Sequence, residues 1–573
     1  LQRQLTMTMT MTIIQRYLSI SLRSSYHYCK PSCITSTSTN ASLGRGHKQI
    51  LCFSSSSSAS LKEKEEDFFD VTIVGGGVVG SSMANLLRRE LPNLRVALID
   101  SKKEPPTRSL PLPSPSPSPS QQRVVVPSPR SYALSPRSMT VLGPTVEQSL
   151  PIGYYNSMQV WQDSSPASLT FTTKDLDPDP NSKRASYLGG CCEDQTLVET
   201  LWDELSSASE TSTLSSKNNI VLMSNTSIKS IATVGNVSNN LVRVETNKDT
   251  KFKTAILIGA DGANSSVRKF AGIPRIGGDY DQNALTFTVE LENGNNKNQN
   301  KNLMNGRAYQ RYLSDGGPMA LLPTYSPNHA VIVWSTTPDV ILQWKNNHHH
   351  GKEASSNGSN NEELLVQHLN DCLQEGPQRI PPLMENGFNS STTGTKTTNN
   401  DSTIFSNLIY GAERVLDTVH YGLAMASQHP QPTFSIPPKI KSIVSPKFSF
   451  PLSCYQATTY VKERVVLVGD AAHTVHPMAG QGLNLGLADV DTLITKFKKA
   501  HDVGMDLSSF LNEYNADRHK NVSISLSGIH TLQRLFVNTQ NIPVQHMKTF
   551  GMNMIQNIGP LRRKLAMAAA HGV

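Results

Sequence analysis

As far as residue 62 the chain is Ser- and Thr-rich and largely patternless, apart from a short amphipathic spacing at Ile13, Ile14, Tyr17, Leu18 and Leu22. The charged stretch at 62–67 (KEKEED) then gives way to Phe68-Phe69-Asp70-Val71-Thr72-Ile73-Val74, the near-continuous apolar run of a strand buried on both faces. The folded body is expected to begin there. Short β-rich runs at Thr286 to Leu291, Met319 to Leu322 and Ala330 to Trp334 predict an antiparallel sheet in the middle of the chain. From Leu483 onward, apolar residues recur at spacings of three and four, which predicts helices. No run reaches the roughly 18 apolar residues of a membrane-spanning helix.

Polar tracts interrupt this pattern. Residues 109–129 alternate Ser and Pro, and proline has no amide to give a sheet or helix ladder. Residues 293–302, 346–363 and 389–402 are rich in Asn, Ser, Thr or Gly and read as solvated loops. The triplet His348-His349-His350 lies inside one of them and reads as loop rather than metal site. No internal repeat is found.

Of 573 residues, 37% are hydrophobic and 36 are glycine, enough for a sizeable core spread over more than one domain. The net charge of +8 is misleading. Residues 1–62 hold seven basic residues and no acid, so the remainder of the chain carries only +1. A nearly neutral body gives no reason to expect nucleic-acid binding. The acid-free, Arg-bearing, Ser-rich segment 1–62, with the charged stretch after it, reads as an organelle transit peptide or disordered region over 1–67. Cys29, Cys33 and Cys52 fall within it; Cys191, Cys192, Cys372 and Cys454 show no CxxC or metal-ligand spacing, which implies a reducing compartment and inert packing roles.

Three motifs carry chemistry. The first runs Asp70-VTIV-Gly75-Gly76-Gly77-Val78-Val79-Gly80, a helix, and a strand ending in Asp100, twenty residues past Gly80. Gly75 makes a tight turn, Gly77 lets backbone approach a pyrophosphate, Gly80 permits close helix packing, and Asp100 bonds a ribose hydroxyl. Strand, turn, helix, strand and acid together predict a dinucleotide site, NAD or FAD. The second, Ala255-ILI-Gly259-Ala260-Asp261-Gly262 with Arg268 beyond, places Asp261 and Gly262 where they can meet that dinucleotide, or else forms an ordinary Asp-Gly turn. In the third, Arg464-VVLV-Gly469-Asp470 followed by Pro477-Met478-Ala479-Gly480-Gln481-Gly482, a buried strand delivers Asp470 to polyol hydroxyls. Gly480 to Gly482 then open a helix whose free amides can face an electron-rich ring edge, the alternative being a second phosphate loop, which is disfavoured because no βαβ unit with a terminal acid follows.

In this order and at these separations the motifs closely resemble the FAD-dependent aromatic hydroxylase family, and within it the mitochondrial type of ubiquinone-biosynthesis hydroxylase. Supporting stretches are Arg130-Ser131-Tyr132-Ala133-Leu134-Ser135, Tyr309-Gln310-Arg311-Tyr312-Leu313, Gly317 to Pro323, Phe450-Pro451-Leu452 and Tyr514 to Arg518. The resemblance implies an α/β fold: an FAD-binding Rossmann-like domain of the p-hydroxybenzoate hydroxylase type, with an inserted antiparallel β-sheet substrate domain and C-terminal helices. Divided accordingly, the chain gives FAD domain over 68–275 and 456–573, and substrate sheet over 276–455. The cofactor is FAD. It is held at Gly75, Gly77, Gly80, Asp100, Arg130, Gln195, Asp261, Gly262, Asp470, Pro477, Gly480, Gln481 and Gly482, with Asp194 an alternative to Gln195. Asp100 replaces the family's more usual glutamate.

The activity implied is monooxygenation of a polyprenylated phenol with O2, at ring position C5, through a flavin C4a-hydroperoxide. No catalytic side chain is assigned, and His473 and His476 are read as structural as readily as acid–base groups. Without a second nucleotide-binding unit, electrons come from ferredoxin and ferredoxin reductase on the mitochondrial reading, or from NAD(P)H as in soluble relatives. Other ubiquinone-biosynthesis proteins are the implied partners, on the matrix side of the inner membrane. The apolar C-terminal stretch from Leu532 to Ile555, followed by Arg562-Arg563-Lys564, either docks peripherally on a membrane or partner, or covers the sheet. The alternatives are an epoxidase or hydroxylase of another isoprenoid or aromatic substrate, and a flavin-stabilised subunit without turnover.

Overall fold

The computed structural model describes residues 66–105, 126–163, 165–176, 186–210, 219–235, 240–292, 302–313, 317–345, 359–377, 434–476, 480–536 and 542–571. All belong to one unit, Glu65–Val573. The leader, most of the Ser-Pro tract, the His triplet, the tract at 389–402 and Pro477 lie outside the described residues.

The apolar run after the charged stretch forms the strand Asp67–Val74, whose Val71 and Ile73 are fully buried. On one side it pairs in parallel with Val96–Ile99, which in turn pairs with Ile220–Met223. On the other it pairs in parallel with Lys251–Gly259, which pairs in parallel with Val465–Leu467. An antiparallel ribbon, Ile228–Val234 with Leu241–Thr246, is attached to Lys251–Gly259. A parallel sheet must be covered on both faces. The helix Val78–Glu90 packs on it and is tied to the helix Asp194–Glu210 through Asn85, whose Nδ2 donates to Leu201 O at 3.0 Å.

The mid-chain runs form the expected antiparallel layer, in the strands Arg275–Leu291, Gly317–Pro323 and His329–Thr336. This nine-stranded sheet is not confined to 276–455. Ser157–Gln162 and Ser168–Thr172 join its far edge, Ser157–Gln162 pairing in parallel with Arg307–Leu313, and His473–Thr474 closes the other end. A parallel partner about 150 residues away leaves no local mark in the sequence, so the linear boundary at 276 misses it. The boundary of the loop at 346–363 also moves. The helix Ser359–Gln374 begins inside it, because Leu365, Leu369 and Leu373 form a stripe at intervals of four that is buried against the sheet.

Strand alternation fixes the two faces of this layer. Leu285, Phe287, Val289, Ile332 and Trp334 point to the core beneath the helices Pro338–Lys345 and Ser359–Gln374. The opposite face carries Ala284, Thr286 and Thr288. Thr286 and Thr288 hydroxyls donate to Pro129 O and Pro127 O at 2.9 and 2.8 Å, holding the segment that leads into the strand Ser131–Leu134.

The C-terminal helices Leu511–Phe536 and Ile542–Asn557 cover the far end of that same face. Ile529, Phe536 and Met552 pack with Val160, Leu169 and Tyr312, and Phe536 stacks on Tyr312 with centroids 4.4 Å apart. Part of the apolar stretch therefore covers the sheet, while Leu532 and Met547 remain exposed. Among the described residues no helix is long and apolar enough to cross a membrane.

Candidate functional site

Because Asp67–Val74, Lys251–Gly259 and Val465–Leu467 are parallel neighbours, their carboxyl ends emerge at one edge, the place where open α/β sheets bind ligands. The register sets Val74 beside Gly259 and Gly259 beside Leu467, so the three motifs meet there.

In the first turn Gly75 has φ +107°, and a Cβ on it would lie 2.3 Å from Ala260 O. A Cβ on Gly80 would lie 1.8 Å from Gly75 O. Both glycines are dictated by crowding. Gly77 is not: a Cβ there meets no protein atom within 4 Å, and it caps the helix Val78–Glu90 with no side-chain hydrogen bond to the first-turn amides. That leaves room and free N–H groups for a phosphate. Asp100, at the end of its strand, accepts from Gly76 N at 2.5 Å and Lys102 N at 2.7 Å, so it shapes the turn. Trp202 Nε1 donates to Gly76 O at 2.7 Å and braces the same turn.

Asp261 Oδ2 accepts from Ser266 N at 2.6 Å, while Oδ1 is buried with no hydrogen-bond partner among the described residues. Gly262 has φ +81° and open space at its Cβ position. Arg268 is buried and structural, donating to Ala471 O and Ala263 O, each at 2.8 Å.

Gly469 turns at φ +59° into Asp470. The Asp470 carboxyl is open to solvent, yet the protein packed around it raises its pKa by burial, opposed by the His473 charge and reinforced by Asp489. An accessible carboxyl deep in a recess suits a polyol ligand. Gly480, at φ +61°, begins the helix Gln481–Asp502, again without a side-chain cap. Asn484 anchors this helix, its Nδ2 donating to Ala133 O at 2.9 Å and its Oδ1 accepting from Ser135 N at 2.9 Å. Gly482 adjoins Val475, and Gln481 Nε2 donates to Ala569 O at 3.1 Å.

Arg130 is exposed, and its carbonyl accepts from Asp194 N at 2.8 Å. Gln195 is exposed too, its amide donating to Glu199 Oε1 at 2.8 Å, whereas the Asp194 side chain bonds the Tyr132 phenol. Of the two neighbours Asp194 is the one turned toward the motif strand Ser131–Leu134. Cys191 and Cys192 are buried, and burial pushes the Cys192 thiol up to about 12, as befits inert packing residues. Among the described residues no group of His, Cys, Asp or Glu is placed to hold a metal.

Two features of the site escape a linear reading. Asp489 is fully buried and accepts from Arg518 Nε at 2.7 Å and Gly469 N at 2.8 Å, with His473 Nε2 at 2.7 Å. Burial alone would raise its pKa; the His473 and Arg518 charges and hydrogen bonds prevail and hold it below the ordinary value. This cluster sets the Gly469-Asp470 turn. The available signal was Arg518 standing in the buried stripe with Tyr514 and Val522, a position a charge occupies only when paired.

The second is the sheet face looking toward the turn. Register puts Ala320, Leu322 and Val333 on it, all only half-buried although they lie on interior strands, and Phe448 and Phe450 are 43% and 45% exposed. An apolar, accessible wall in the middle of a sheet is the kind of surface that a ligand covers. Gln310 shares this face. Arg311 points the other way, where Asp163 accepts from its Nε at 2.7 Å beside a separate surface cavity of about 570 Å³. That cavity is remote from the glycine turns and takes no part in the site.

Uncapped amides at Gly77 and Gly480, open space at Gly77 and Gly262, the orphan Asp261 Oδ1 and the reachable Asp470 together fit an extended dinucleotide flavin. Fold and site define an FAD-dependent monooxygenase, and residues 432–525 match the family model described as FAD binding domain. It is similar over most of its length to the ubiquinone biosynthesis monooxygenase COQ6, mitochondrial, of Danio rerio, at 27% identity over 88% of this chain and 90% of the relative. The protein of the same name from Dictyostelium discoideum is 28% identical, over 87% and 90%. Among solved structures, p-nitrophenol 4-monooxygenase PnpA from Pseudomonas putida DLL-E4 has the same fold, with a TM-score of 0.53 at 15% identity over 88% of this chain and 99% of that one. PqsL of Pseudomonas aeruginosa gives 0.52 at 17%, over 85% and 99%.

Proposed function

We propose that this monooxygenase hydroxylates the aromatic ring of a polyprenylated ubiquinone precursor, at C5, on the matrix side of the mitochondrial inner membrane. The observation that carries the reading is the similarity to ubiquinone biosynthesis monooxygenases along nearly the whole of both chains. The half-open apolar face formed by Leu322, Val333, Phe448 and Phe450 supports a ring bearing an apolar tail.

Bound FAD, once reduced, supplies the transfer of one oxygen atom from O2 to an electron-rich ring. The glycine turn and Asp470 hold and orient the cofactor. The uncapped helix end at Gly480 would favour negative charge on the bound, reduced cofactor. The apolar sheet face keeps water from the reacting centre. His473 serves Asp489 rather than the substrate.

Electrons come from ferredoxin and its reductase, and the exposed apolar residues of the C-terminal helices, with Arg563 and Lys564, meet the membrane or other proteins of the pathway. Deleting the gene and identifying the accumulated intermediate tests the assignment: a prenylated ring lacking the C5 oxygen is expected, and unchanged quinone content sinks it. Anaerobic stopped-flow tests the donor. Fast flavin bleaching by NADPH alone would replace ferredoxin while leaving the hydroxylase reading intact.

A further inference from the structure

The long strand Arg275–Leu291 leaves its ladder at one point. Asp279 pairs with Ser453 and Asn283 with Pro451, so Tyr280, Asp281 and Gln282 stand opposite Leu452 alone. Asp281 turns at φ +53°, in the left-handed region. Bulges of this kind re-aim side chains and recur next to active sites, and such a backbone conformation persists only where the surroundings enforce it.

The two side chains flanking Asp281 both reach the helix Leu511–Phe536. The Tyr280 hydroxyl and His530 Nδ1 are 3.2 Å apart, and buried Gln533 donates from Nε2 to Gln282 Oε1 at 3.2 Å. The Tyr280 ring meanwhile stands edge-on to His476, centroids 5.0 Å apart at 84°. His476 is fully buried and immediately precedes Pro477, on the way to the uncapped helix end at Gly480. The phenol also bonds Cys454 of the strand Phe448–Ala457, whose next two residues, Tyr455 and Gln456, pair with Thr474 and His473. Burial lowers the His476 pKa to about 4, and burial reinforced by Cys454 raises that of the phenol, so both rings are neutral at physiological pH. An edge-to-face contact between neutral rings holds an orientation.

We propose that Tyr280 is a positioning residue for the cofactor: its ring fixes His476 at the entry to the segment 477–482, and its hydroxyl ties that entry to the helix Leu511–Phe536. Flavin binding is thereby coupled to the seating of a C-terminal helix. Tyr280 acts through His476, and no bond is made or broken at it. The inference draws on the bound flavin alone and does not depend on which ring is oxidised.

The test is a double-mutant cycle on the full chain, read in FAD titrations and in the visible spectrum of the bound flavin, with flavin-free melts alongside. Tyr280→Phe and His530→Leu break the hydroxyl–imidazole contact from opposite ends. Each is expected to weaken FAD binding roughly fivefold and to shift the flavin band, and the double variant is expected to bind no worse than the weaker single, as for a coupled pair. Tyr280→Leu also removes the ring edge and is expected to lose roughly thirtyfold. Tyr280→Phe is expected to leave the flavin-free melting temperature where it was. Additive losses in the double variant, an unmoved flavin spectrum in Tyr280→Leu, or losses of affinity that merely follow a lowered flavin-free melting temperature each overturn the proposal.

Discussion

His473 Nε2 lies 2.7 Å from Asp489 Oδ2 where neither residue reaches solvent, and the same carboxylate is held on its other oxygen by Arg518. Asp489→Asn leaves Arg518 buried without a counter-charge. The expected loss is about 3 to 5 kcal/mol in urea unfolding, together with slackened flavin binding through the Gly469 turn. The wild-type carboxyl is held below its ordinary 3.8, so its contribution is complete above that pH and disappears as pH falls through the lower folded value. A loss under about 1 kcal/mol would mean that the cluster is decorative.

Gly77 and Gly80 separate cofactor contact from packing. Gly77→Ala adds a methyl into open space, so the flavin-free protein is expected to melt as wild type while FAD affinity falls roughly tenfold, about 1.4 kcal/mol. Gly80→Ala drives the methyl against Gly75 O and is expected to lower the melting temperature with or without FAD. Paired thermal melts and flavin titrations check both; equal behaviour of the two variants contradicts the division of labour.

Asp470→Ala removes a charge-assisted acceptor from the flavin recess. A loss of about 1.5 to 3 kcal/mol in FAD affinity is expected, read as faster flavin release on gel filtration. Full retention of the yellow colour under dilution would displace Asp470 from the site.

His476 is buried against the Tyr280 ring, centroids 5.0 Å apart, and burial lowers its pKa from 6.5 to about 4. Below 6.5 the unfolded chain takes up a proton that the folded chain refuses, so stability is lost as pH falls from about 6.5 toward 4. The loss is on the order of 3 kcal/mol. His476→Phe is expected to flatten that part of the profile in urea titrations at pH 7 and 5; an unaltered slope would assign it to other groups.

The sequence announced what is chemically local. Gly75 and Gly80 sit in a short strand–turn–helix unit whose residue types follow from crowding at that point, and Asp100 closes the same turn through Gly76. What stayed hidden depends on partners far along the chain. Ser157–Gln162 gives no sign that it will pair with Arg307–Leu313, and Asp489 acquires its role only when the helix carrying Arg518 folds over it. Phe448 and Phe450 read as ordinary strand residues, because whether an apolar side chain is buried or left accessible is decided by what packs over it. At Gln195 the helix start turns the amide toward Glu199, while the Asp194 side chain turns to the Tyr132 phenol.

The placement of Val465–Leu467 beside Lys251–Gly259 also sets a timetable. During synthesis the first glycine turn exists long before Asp470 and the helix behind Gly480 have been made, and the second layer is likewise open until Arg307–Leu313 arrives to flank Ser157–Gln162. Pairings so distant in sequence are slow to form and leave sheet edges unprotected meanwhile. The three motifs meet only once Val465–Leu467 has paired, so the recess they share is among the last parts of the fold to be completed.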